Sequence, residues 1–154
     1  MSSLSHNVCS GLASDIIRKK LLENGGRAVV SSARGNQYEI RASRDGAHFE
    51  CNELPIKPPY ELLIFDVMVE CMVKNGNKAR KGNGRNYKLG ASECDDTTIV
   101  GYIGKHYARK PSGSSVFDPV FVLVPILEWA EIAYNDKGMV YLTASYLKAI
   151  QDAH

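Results

Sequence analysis

Between positions 37 and 52 the chain alternates strictly. Tyr38, Ile40 and Ala42 oppose Gln37, Glu39 and Arg41, and Ala47, Phe49 and Cys51 oppose His48, Glu50 and Asn52. Successive side chains of an extended backbone point to opposite faces, so period two predicts strands with one buried face. Arg44-Asp45-Gly46 separates the two runs, and Arg34-Gly35-Asn36 joins the first of them to residues 27–33, which carry Val29 and Val30. Both connectors have tight-turn chemistry. The expected unit is a three-stranded antiparallel meander, marginal on its own, whose apolar face has to be covered by something else.

The nearest cover is the segment before it. In residues 10–24, Leu12, Ala13, Ile16, Ile17 and Leu21 recur at helical spacing, with Arg18, Lys19 and Glu23 on the other side. Gly25 and Gly26 end this helix, because glycine accepts the left-handed conformation that follows a helix. After the meander, Pro55 and the stretch to Pro59 form a stiff linker that stops the ladder. The chain therefore divides into a helix-and-meander part at 1–54, a linker at 55–59, and a second part at 60–154.

The second part begins with a largely apolar helix over 60–74, interrupted by Glu61, Asp66, Glu70 and Lys74. Composition then changes abruptly. Residues 74–88 hold Lys74, Lys78, Arg80, Lys81, Arg85 and Lys88 with no acid, together with Gly76, Gly82 and Gly84. That composition predicts an exposed, mobile, basic loop. A short helix is expected over 95–109, started by Ser92, Asp95 or Asp96 and stopped at 110–114. Asp118 as a cap and Pro119 in the first turn start another over 120–130, bent at Pro125. Residues 132–134 and 139–143, joined by Asn135-Asp136-Lys137-Gly138, read as a hairpin, and 145–153 adds a last helical segment. The fold class is α+β.

From residue 60 to 146 the order helix, helix, helix, hairpin, with Leu127-Glu128-Trp129-Ala130-Glu131-Ile132 leading through a turn into Met139-Val140-Tyr141-Leu142-Thr143, resembles a winged helix-turn-helix domain. The resemblance implies nucleic-acid binding. In that superfamily the third helix usually enters the major groove. Here residues 116–130 contain no Lys or Arg but include Asp118 and Glu128, so this helix reads as core. Residues 74–110 carry nine basic and three acidic side chains, whereas 111–154 carry two and five. The cationic candidates for phosphate contact are Lys74, Lys78, Arg80, Lys81, Arg85, Lys88, Lys105, Arg109 and Lys110, with Lys137 from the wing. Tyr87, Tyr102 and Tyr107 either stack on bases or pack internally.

The leading expectation is a small non-enzymatic nucleic-acid-binding or regulatory protein. Its alternative is a protein-binding adaptor or inhibitor, of the kind phages direct at nucleic-acid-processing enzymes. That alternative uses the apolar segment 117–129 for dimerisation or partner contact and the basic loop for an acidic surface. Other chemistry has little support. Gly82-Asn83-Gly84-Arg85 lacks the preceding strand and the lysine of a nucleotide loop. His6 with Cys9, and Glu93-Cys94-Asp95-Asp96, lack a second pair at metal-ligand spacing. His106 beside Lys105 and Arg109 has the chemistry of a general base, yet an exposed helical histidine accounts for it. No catalytic residue, cofactor or metal is expected. Residues 1–10 show no export signal and no apolar run approaches the roughly 20 residues of a membrane span, so the expected compartment is the cytoplasm. Cys9, Cys51, Cys71 and Cys94 are expected as free thiols, the apolar pattern burying Cys51 and Cys71.

Overall fold

A computed structural model describes residues 11–55 and 59–153; His6, Cys9 and linker residues 56–58 lie outside them. The meander forms with its expected alternation. Strand β1 (Arg27–Ser31) pairs antiparallel with β2 (Gln37–Ala42), and β2 with β3 (His48–Glu50). Ala28, Val30, Tyr38, Ile40 and Phe49 all point to the buried side. A fourth strand then joins. β4 (Tyr60–Glu61) returns after the proline segment and pairs with β3, opposing Tyr60 to Phe49, so the sheet runs β1-β2-β3-β4. Tyr60 was expected to open a helix. Its ring instead lies 6.0 Å from Phe49 and 5.8 Å from Phe117, a packing that requires extended backbone here.

Helix α1 (Leu12–Glu23) buries Ala13, Ile17 and Leu21 against this sheet and against α2 (Ile64–Lys74). α2 is the central helix, with Ile64, Phe65, Met68, Val69, Cys71 and Met72 all buried. The run expected as a loop over 74–88 is partly regular. Lys74 closes α2, and β5 (Lys78–Arg80) pairs with β7 (Met139–Leu142), which also pairs with β6 (Ala133–Asp136), giving the sheet order β5-β7-β6. Ala79 is the buried residue of β5, so Lys78 and Arg80 face outward by simple alternation.

The helix expected over 95–109 begins later. Thr98 is its cap, the hydroxyl accepting the Gly101 amide at 3.1 Å, and α3 (Ile99–Tyr102) continues into a π-helical turn, Ile103–Tyr107. α4 (Val120–Trp129) starts where the sequence indicates, the Asp118 carboxylate accepting the Val120 amide at 3.3 Å. Seven of its residues are buried, and its neighbours include β1 and β6. Lys20 of α1 reaches the end of α4, donating from Nζ to the Trp129 carbonyl at 2.6 Å with the ammonium 4.8 Å from the indole. α5 (Ala144–Asp152) is capped by Thr143. One continuous buried cluster runs through all these elements. Within it Cys51, Cys71 and Cys94 are free thiols. Burial pushes Cys71 up to about 12 and Cys51 up to about 11.

Candidate nucleic-acid interface

Several of the predicted cations meet at a cleft of about 680 Å³ between the turns of two hairpins. The β1–β2 turn forms one wall with Ser32 and Arg34, and the β6–β7 turn forms the other with Asn135 and Lys137. The floor is one side of α4, lined by half-buried Phe121 and by Pro125, and the rim between the hairpins carries Lys81 and Arg85. Four cations from three separated segments therefore surround one cavity.

Three of them, Lys81, Arg85 and Lys137, are placed there by local contacts. Lys81 follows β5, and its amide donates to the Gly138 carbonyl at 2.9 Å, fastening the basic stretch to the wing. The Arg85 guanidinium sits 5.4 Å from the Phe121 ring, which meets Tyr38 edge-on at 5.9 Å. Lys137 and Gly138 form the two-residue turn between paired Asp136 and Met139, both with positive φ, 53° and 88°. That is the backbone requirement of a tight hairpin turn matched to strand twist.

The cleft also contains two carboxylates, but both are engaged by the backbone. Asp118 accepts the Gly84 amide at 3.1 Å, and Glu128 accepts the Asn135 amide at 3.0 Å. Four cations against two occupied carboxylates leave the cavity net positive.

The Gly82–Gly84 region is not a phosphate cradle. The amides of Asn83 and Gly84 go to the Glu93 carbonyl and Asp118, and those of Arg85 and Asn86 both go to the Asn83 side chain. The glycine at 82 is required by packing instead. A methyl there would lie 2.6 Å from Thr98 Cβ and 2.7 Å from a Val100 methyl.

Of the ten predicted contacts, Lys81, Arg85 and Lys137 converge on the cleft. The others go elsewhere. Lys74 lies 5.7 Å from the Tyr102 ring, and Lys105 pairs with Asp96 at 3.1 Å. Lys78 and Arg80 lie on the outer face of the second sheet, where the Arg80 guanidinium donates to the Ser92 carbonyl at 3.0 Å. Lys88, Arg109 and Lys110 are exposed on the loops beyond. Two of the tyrosines pack internally. The Tyr102 hydroxyl bonds Glu70, and the Tyr107 hydroxyl accepts the Glu61 amide at 3.0 Å while its ring stacks on Tyr60. Tyr87 is 40% exposed. His106 lies against Tyr102 with ring centroids 4.1 Å apart. Burial, then Lys105 and Lys74, push its imidazole below the usual range, so it adds no charge to the field at neutral pH.

Arg34 is the cleft residue that sequence reasoning missed. It reads as a turn residue of the meander, and only the docking of β1 against α4 brings it opposite Lys137. Among the described residues, no group of three His, Cys, Asp or Glu side chains is placed to hold a metal ion, and no helix is long and apolar enough to cross a membrane.

No protein-family model matches the chain, and neither a curated protein nor a solved structure is significantly similar to it. The reading of the cleft therefore stands on its own chemistry. The apolar segment 117–129, the contact surface of the adaptor alternative, is mostly buried, with Val120 and 122–127 all in the core.

Proposed function

We propose that this protein binds nucleic acid, holding the phosphate backbone in the cleft between its two hairpin turns. The observation that carries the reading is the convergence of Arg34, Lys81, Arg85 and Lys137 on one concavity whose carboxylates are already engaged by backbone amides. Phosphate contacts release condensed counterions, so such a site gives salt-dependent affinity with little reading of base edges.

The winged-helix resemblance is one of element order, and here α2, β5, α3, α4 and the β6–β7 hairpin follow in sequence. The mode of binding is a different one. α4 has no cation and most of its apolar residues face the core, so the cations of the flanking turns take the role that a groove-reading helix would have.

Fluorescence anisotropy of labelled oligonucleotides at two salt concentrations tests this. With four phosphate contacts, log affinity for a single strand should fall with log salt at a slope of about −3. Replacing Arg34, Lys81, Arg85 and Lys137 by Ala should abolish binding while leaving the thermal melt in place. Equal binding by that variant would refute the assignment.

A further inference from the structure

We infer that the outer face of the β5-β7-β6 sheet stacks nucleobases, and therefore that the nucleic acid taken by this chain is single-stranded. The inference rests on the nucleic-acid reading for its ligand but on residues outside the cleft. The strand register places Lys78 opposite Tyr141, and Tyr141 opposite Tyr134, in one row across the sheet. Their neighbours Ala79, Val140 and Ala133 are buried, so alternation turns this row outward.

The row forms a column. The Tyr134 and Tyr141 rings stack with centroids 5.3 Å apart and planes 17° from parallel, and the Lys78 ammonium lies 6.0 Å from the Tyr141 ring. Reading along it gives a cation, a ring and a second ring on edge strand β6. Tyr134 at that end is 48% exposed. A flat π-face added to Tyr134 continues a stack that is already built, so little ordering is required of the protein.

Nucleobases are the ligands that fit both parts of the row. Every base has a π-face, and each base comes with a phosphate for which Lys78 is the matching charge. In a duplex those faces are covered by neighbouring bases, so an aromatic platform selects unstacked, single-stranded chain. The next row, Arg80, Met139 and Asp136, carries one charge of each sign, and Arg80 is committed to Ser92 and Thr97. The same hairpin places Lys137 at its tip, three residues from Tyr134 and about 10 Å along the strand. One strand of nucleic acid can thus leave phosphates at the cleft and bases on the sheet.

The test compares wild type, Tyr134→Ala, Tyr134→Phe and the four-residue cleft variant on short labelled oligo-dT, free and paired with oligo-dA. Wild type should prefer the free strand. Tyr134→Ala should weaken that binding roughly tenfold with the salt slope unchanged, and Tyr134→Phe should retain it. If Tyr134→Ala binds the free strand as wild type does while the cleft variant does not, the stacking face is wrong and the cleft reading survives. If wild type binds neither form at low salt, both fall. A wild-type dimer that Tyr134→Ala converts to monomer would assign the face to protein contact and overturn the inference.

Discussion

Asp66 shows how much one side chain organises here. Gly11 precedes α1 and has no side chain with which to cap it, so the first-turn amides need an acceptor from elsewhere. Asp66, in the first turn of α2 and 3% exposed, supplies it by accepting the Ser14 amide at 3.1 Å. Burial pushes its carboxyl above the usual carboxylate range despite these hydrogen bonds. A carboxyl raised in the folded state binds its proton more tightly there than in the unfolded chain. Its contribution to stability is therefore full below the ordinary carboxylate range and is lost as pH rises through the raised value. Asp66→Asn keeps a carbonyl acceptor and should flatten that dependence, whereas Asp66→Ala leaves buried donors unmatched and should cost about 1–3 kcal/mol at any pH. Denaturant titrations across that pH range check both, and an unaltered pH profile in Asp66→Asn would remove the residue from this role. None of this is legible in sequence, where Asp66 reads only as one of four charges interrupting a largely apolar helix. Arg34 was hidden for the same reason. Long-range partners are set by docking, whereas Lys81, Arg85 and Lys137 announced themselves by charge alone.

The elements that were legible are those with enough residues to show a period. The meander, α1, α4 and the β6–β7 hairpin follow from alternation, helical spacing and turn residues at the expected places. β4 has only two residues and follows the proline segment, while β5, no shorter than β3, sits among glycines and cations with no alternating run around it and pairs with β7, about 60 residues later. α3 starts at Thr98 because Asp95 turns its carboxylate to the Thr97 amide at 2.9 Å instead. The β6–β7 turn carries its own test. Lys137 is in the left-handed region, at φ 53°, where Asn or Gly sits more easily. Lys137→Asn should raise stability by up to about 1 kcal/mol while lowering the salt slope of oligonucleotide binding by about 1. Gain in the melt without loss in the salt slope would mean that Lys137 touches no phosphate.

At the scale of the molecule, the division at 55–59 does not divide the core. β4 belongs to the first sheet, α1 packs on α2, and Lys20 closes on Trp129. Unfolding should therefore be a single cooperative transition. Far-UV circular dichroism, which follows all elements, should coincide in denaturant with the fluorescence of Trp129, the one tryptophan of the chain. Two separated midpoints would show that the halves melt independently. The cleft has the same property, since one wall comes from the first sheet and the other from the second, so a bound strand stabilises the whole molecule and not one part of it. The shielded thiols carry this cooperativity into covalent chemistry. Cys51 follows β3, Cys71 lies in α2 and Cys94 in the turn before α3, and burial pushes each thiol above its ordinary value. A disulfide reagent reaches them only when the chain around them opens, so their modification rates time the opening of three regions without any added probe.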